Sequence, residues 1–311
     1  MVCFPVTIAR SNLTSIPPKI VFGINNWTYK STFSITGSID GTQTNYPISI
    51  TIPYNASYMR SDFKDIRFSL DGETFLDYTI ESKTDSSTAT FLVKVPSIPV
   101  SPESLNINVF SGNPVATDEE APDLIYLFDG KIESGILDTS LWTLSGSPTI
   151  VTTDSKPTLK LTPGNGVSTK TSIQGNFIVK YGLKFASKGA YGYRFGLGYK
   201  SGYAFQIAYG GSGWYKNWLY DQSGTEIASN SYDWDTTTWR DLYVVGTSTI
   251  HKAMTSNGEI SGTSANNIDG VINFGVWDDG NDVRLSYVKV LRSTPNPPTI
   301  GSLSAWEPVI S

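Results

Sequence analysis

Apolar and polar residues alternate along most of this chain. Tyr46, Ile48, Ile50 and Ile52 are separated by Pro47, Ser49 and Thr51. A period of two predicts a strand with one buried face. The same pattern begins at Trp27 with Tyr29, Phe33 and Ile35. It returns at 66–68, 78–80, 89–95 and 105–110. Asp40-Gly41 and Asp71-Gly72 supply turns between the runs. No segment there has a period near that of a helix. About seven short strands in so little chain predict a β-sandwich.

Asn113-Pro114 and the acidic, proline-containing stretch 118–123 mark a boundary. A second strand series follows at 126–128, 158–161, 177–185, 191–199, 203–209, 217–220, 241–247, 271–277 and 284–291. One sheet cannot cover that many half-apolar strands, so two packed sheets in a jelly roll are expected. The fold class is therefore all-β: two β-sandwiches, the second a jelly roll. The predicted layout is an arm at 1–26 (with a strand near 19–22), a sandwich at 27–122, a jelly roll at 123–292 and a Pro-rich tail at 293–311. Pro295, Pro297 and Pro298 make that tail read as a linker with a short hydrophobic terminus. No internal repeat is evident.

Composition narrows the function. Charged residues make up 16% of the 311 positions and the formal net charge is -5. No Lys/Arg run offers the footprint of a nucleic-acid binder. Cys3 is the only cysteine, so there is no intrachain disulfide and no cysteine-built metal site. Membrane insertion is not expected, because no stretch reaches the ~18 apolar residues of a spanning helix. The N-terminus lacks the basic-then-apolar pattern of a secretory signal. Sequons at Asn12, Asn26 and Asn55 matter only if the chain is exported.

Several motifs run in order through the first sandwich. They are Trp27-x-Tyr29, Asn45-Tyr46-Pro47, Asp65-Ile66-Arg67-Phe68, Asp71-Gly72, Ile80-Glu81, Val93-Lys94-Val95-Pro96 and Gly112-Asn113-Pro114-x-Ala116. Together they resemble an uncharacterised β-domain of archaeal and bacterial surface proteins, which brings no assigned activity with it. In the second sandwich, Phe128-Asp129, the run from Leu137 to Trp142 and the closing strand Arg284 to Val290 are similar to concanavalin-like or laminin-G-like jelly rolls. That resemblance implies carbohydrate binding or glycosidase activity, and an edge calcium site. Its first-strand aspartate would be Asp129, whereas Ser286 stands at the last-strand position.

Catalysis is not expected. Glycoside hydrolysis needs two carboxylates across the scissile bond. The Glu-x-Asp-x-x-Glu strand pattern of such enzymes is missing around both Glu226 and Glu259. His251 is the single histidine, no Gly-x-Ser-x-Gly elbow accompanies it, and it reads as a plain surface residue. No catalytic residue is assigned. Calcium is the one candidate cofactor, at Asp129 or in the cluster Asp278, Asp279 and Asp282; the bland reading of that cluster is a solvated turn.

Aromatic residues carry the binding expectation. The run 210–215 sets three glycines beside Trp214 and Tyr215, which presents rings rather than burying them. Trp218, Tyr232 and Trp234 complete the candidate ligand set; the competing reading is that these rings cap the sandwich ends. The chain is expected to be a non-catalytic recognition or adhesion protein for a surface glycan or cell-envelope protein. A virion receptor-binding or tail-fibre protein, in contact with other virion proteins or further copies of itself, is the leading version. A cellular adhesin or lectin lacking its export segment, a decoration protein and an unfamiliar glycan-active enzyme are the alternatives. The expected location is a virion or an extracellular surface.

Overall fold

The computed structural model describes residues 26–187, 194–199, 202–210, 214–221, 225–231, 234–247, 250–264, 270–276 and 282–309, with 194–195, 199, 202–210, 214–215 and 250 described by backbone alone. The regular secondary structure of the described chain is nearly all strand, in two sandwiches. No helix among these residues is long and apolar enough to cross a membrane.

The first sandwich contains β1 (Tyr29–Thr36), β2 (Gln43–Pro53), β3 (Arg67–Ser69), β4 (Tyr78–Thr84), β5 (Thr88–Ile98) and β6 (Ser104–Ser111). β2, β5 and β4 form a three-stranded sheet, and β1, β6 and β3 belong to the facing sheet. The alternation read from the sequence fills the space between them. Ile48, Ile50 and Ile52 of β2 and Phe91, Val93 and Val95 of β5 meet Phe33, Ile35, Ile107 and Val109 in one core. Asp71 closes its turn by accepting hydrogen bonds from Glu73 N and Thr74 N, both at 2.8 Å, and Gly72 supplies the positive φ of 80°.

A short helix α1 (Pro122–Ile125) leads into the second sandwich. Its strands are β7 (Phe128–Asp129), β8 (Trp142–Ser145), β9 (Thr149–Thr153), β10 (Lys156–Leu161), β11 (Gly166–Thr169), β12 (Phe177–Ser187), β13 (Arg194–Tyr199), β14 (Gly202–Gly210), β15 (Trp214–Tyr220), β16 (Glu226–Ser231), β17 (Arg240–Gly246), β18 (Ile250–Thr255), β19 (Gly258–Thr263), β20 (Ile272–Gly275) and β21 (Asp282–Arg292). One sheet runs β19-β18-β17-β12-β21-β10-β9, with β7 also on β21. The other runs β16-β15-β14-β13-β20-β11-β8. This is the two-sheet jelly roll expected from the strand pattern.

Phe177, Val179, Tyr181, Leu183 and Phe185 of β12 all point into its core. A register shift opposite Tyr181–Leu183 lets Leu285 and Val288 of β21 both face inward although they are three apart. The opening motif is pinned there too. Trp142 donates from Nε1 to Gly130 O at 3.0 Å and packs edge-on against Phe128. A Cβ on Gly130 would lie 2.6 Å from the Trp142 ring, so no larger residue fits.

The tail departs from its linker reading. Residues 299–309 run back along β1 and add β22 (Thr299–Ile300) and β23 (Glu307–Pro308) to the first sandwich. Ile300, Leu303 and Trp306 pack on that core. Asp40 holds the preceding turn by accepting from Thr294 Oγ1 (2.5 Å), Asn296 N (2.7 Å) and Asn296 Nδ2 (2.8 Å). The stretch 113–121 is likewise a packed cover: Arg60 donates to Ala116 O, and Glu120 accepts from Thr79 Oγ1 and Ile80 N. The two sandwiches meet through Leu92, Ile125, Tyr126, Ile178 and Leu291. The suggested strand at 19–22 lies outside the described residues.

Candidate functional site on the seven-stranded sheet

Strand register brings distant residues into line on the seven-stranded sheet. Val167, Leu197, Leu219 and Phe274 face the core. Their neighbours along each strand therefore belong to the outer face. One register row on that face reads Ser145, Gly166, Gly275, Gly196, Gln206, Trp218 and Ser229. The next holds Thr143, Ser168, Asn273 and Gly198. Three glycines on adjacent strands make a floor without side chains, half-buried at Gly275 and buried at Gly166 and Gly196. Among the described residues a Cβ on Gly275 would meet nothing within 4 Å, whereas one on Gly166 would lie 2.8 Å from Phe274 O. Gln206 follows Gly196 in the row, with Trp218 one strand beyond it, and the serines and Asn273 border the floor.

The predicted ring-bearing residues divide. Trp218 is on the outer face but only 5% exposed. At that burial its ring is not a free stacking platform. Trp234 is 7% exposed and belongs to the core. Its Nε1 donates to the buried Asn217 Oδ1 at 2.8 Å, and its ring packs edge-on against Phe185. A buried indole whose N–H has an acceptor gains more from packing than from display, so Trp234 caps the sandwich end. Trp214 and Tyr215 open β15, their backbones opposite Gly210 and Tyr209. Tyr232 lies outside the described residues.

The calcium expectation divides in the same way. Asp129 pairs with Lys289 in the ladder and accepts from Lys131 N at 3.1 Å. Asp282 is ion-paired with Arg284 and with Lys160. It lies seven residues from Lys289 along β21, roughly 20 Å or more at strand rise. Asp129 and Asp282 thus cannot share one ion. Among the described residues no three Asp, Glu, His or Cys side chains form an ion-holding group. Asp278 and Asp279 lie outside the described residues.

His251 is not a surface residue. It sits in β18 with 0% exposure. Burial pushes its pKa below the ordinary 6.5, against a backbone hydrogen bond at Ser264 that raises it. The unfolded chain therefore takes up a proton below about pH 6.5 that the folded chain refuses. Stability is expected to fall as pH drops from 7 towards the depressed value. Because the chain has one histidine, a single NMR titration reads the site directly. An apparent pKa at or above 6.5 in the folded protein would contradict this assignment.

Among solved structures, the exoplasmic/lumenal domain of VIP36, bound to Ca2+ and Man3GlcNAc, is 13% identical over 52% of this chain and 94% of its own, with a TM-score of 0.40. The carbohydrate recognition domain of Emp46p, in a metal-free form, is 11% identical over 53% of this chain and 95% of its own, with a TM-score of 0.40. Alginate lyase AlgAT5 of Polysaccharide Lyase family 7 is 13% identical over 52% and 99%, with a TM-score of 0.40. None of these likenesses assigns a role to a residue of this chain. No curated protein sequence matches it. Residues 62–145 match the family model described as Domain of unknown function (DUF2341), which runs from just before β3 to the end of β8 and so crosses the junction between the two sandwiches.

Proposed function

We propose that this chain is a non-catalytic glycan-recognition module whose binding surface is the outer face of the seven-stranded sheet. The observation that carries this reading is the glycine row Gly166–Gly275–Gly196 on three adjacent strands. A glycan strand is extended and hydroxyl-rich. It needs a shallow floor with small hydrogen-bonding groups along the borders, and Ser145, Ser168, Ser229 and Asn273 are such groups. Neither register row contains a carboxylate, and cleavage of a glycosidic bond requires two acting across it. Retention of the glycan without turnover is the chemistry that this surface supports.

Gly275→Val tests the proposal, because a Cβ there meets no described atom within 4 Å. Affinity electrophoresis against a polysaccharide panel should show retardation of the natural chain. The variant should lose that retardation by about tenfold or more, at an unchanged unfolding temperature. Equal retardation of the two proteins, or release of reducing ends from any retained polymer, would count against the reading.

A further inference from the structure

The other sheet of the jelly roll carries a second concavity. A cavity of about 500 Å³ lies between β4 of the first sandwich and the outer face of the eight-stranded sheet. That size falls within the roughly 300–1,000 Å³ of small-molecule sites, which favour domain junctions. We propose that this cavity binds a neutral saccharide unit, independently of the glycine-floored trough.

The walls define the ligand class. Three carboxylates and two ammonium groups line the space, and each already has a partner inside the wall. Lys180 reaches from β12 to Glu81 of the first sandwich. Lys289 pairs with Glu133 at 3.4 Å and lies 5.2 Å from the centre of the Tyr126 ring. Tyr287 donates its hydroxyl to Asp241 at 3.0 Å. Opposite charges offset each other, so little net charge remains to reward an ionic ligand. The same groups offer many fixed donors and acceptors to a ligand with several hydroxyls. Tyr243 and Tyr287 add aromatic surface suited to the C–H face of a pyranose, while the buried Tyr126 ring backs Lys289. Burial first, then the neighbouring carboxylates, raises the pKa of all three tyrosines, so their hydroxyls stay protonated. Glu81 and Ser82 come from one sandwich and the remaining wall from the connection and the other sandwich. A bound saccharide therefore bridges the two.

The test uses the full chain carrying Gly275→Val, which silences the trough while leaving this cavity intact. Mannotriose, maltotriose, cellotriose and chitotriose serve as neutral probes and trigalacturonic acid as the charged one, read by isothermal titration and saturation-transfer NMR. At least one neutral trisaccharide should bind Gly275→Val. Adding Ser82→Trp, which projects an indole from the exposed edge of β4 into the cavity, should weaken that binding by about tenfold or more. Glu133→Ala, at the half-exposed rim, should weaken it less and guards against a folding failure of the first variant. No neutral probe bound by Gly275→Val, binding indifferent to both cavity variants, or preference for the charged probe would each overturn the proposal. Failure of the trough reading alone would appear differently, as polysaccharide retention unchanged by Gly275→Val.

Discussion

Replacing Arg67 with Met should cost the first sandwich about 3–5 kcal/mol, the range for stripping one partner from a buried charged network. Arg67 is 1% exposed. Its Nη1 donates to Lys64 O (2.9 Å), Ile66 O (2.8 Å) and the Tyr78 hydroxyl (3.0 Å), and its Nη2 donates to Thr117 O at 2.6 Å. Nε faces Glu119 at 3.4 Å. The guanidinium also lies 5.5 Å from the Trp27 ring centre and 5.6 Å from that of Tyr78. Methionine fills much of the volume but leaves three carbonyls and the Tyr78 hydroxyl without this donor and Glu119 without its ion-pair partner. Lysine keeps the charge yet lacks the planar fork, so Arg67→Lys should lose most of the same stability. Urea denaturation monitored by tryptophan fluorescence measures both. A loss below about 1 kcal/mol, the net worth of an ordinary hydrogen bond, would show that the network is dispensable.

Removing residues 299–311 should destabilise the same sandwich by on the order of 5 kcal/mol. The lost backbone bonds include Gly301 N to Ser34 O, Ser304 N to Thr32 O and Val309 N to Thr28 O, at 2.8, 2.9 and 2.9 Å. Each contributes about 1 kcal/mol net. Ile300, Leu303 and Trp306 leave the core surface as well, and Trp306 no longer stacks on Tyr58. Partial burial of three such side chains accounts for the remaining few kcal/mol. β1 then becomes an unpaired edge, a template for association with other chains. Light scattering should show oligomers, and a synthetic peptide of residues 299–309 added in trans should restore both monomer and melting temperature. A truncated chain that stays monomeric and melts like the full one would refute the role given to the tail.

Strict alternation was the readable part of the fold. The even positions 46–52 and the odd positions 177–185 stand on buried faces as the pattern predicts, because a period of two leaves no other way to hide those side chains. β8, β9, β11, β16, β18 and β19 escaped notice; β9 and β16 are rich in Thr, Ser and Asn and only partly buried, which blurs the alternation. The tail escaped because its pairing with β1 comes in two short pieces among prolines. Asp65-Ile66-Arg67-Phe68 was legible as a motif but not as a mechanism. Ile66 and Phe68 fill the core. Asp65 accepts hydrogen bonds from Arg60 N and Gly112 N, and Arg67 binds the cover at 117–119.

The candidate site was less legible than the fold. Residue type marked Trp218 and Trp234 equally, but only the neighbours separate them: Asn217 draws one ring inward while strand parity turns the other outward. Gly166, Gly196 and Gly275 are far apart in the chain and share no motif. Register alone sets them side by side. The cavity at the junction needs both sandwiches docked, which no local pattern encodes.

The seam between β1 and the returning tail has a mechanical consequence. The two segments run antiparallel, and Thr28 and Val309 are bonded at the same end of the pair. Tension applied between these two residues would open the seam like a zipper, loading one bond at a time. Tension between residue 36 and residue 309 would instead pull along the strands and load all of the bonds together. The module should therefore yield at low force when held by its neighbouring ends and resist strongly when held across the length of β1.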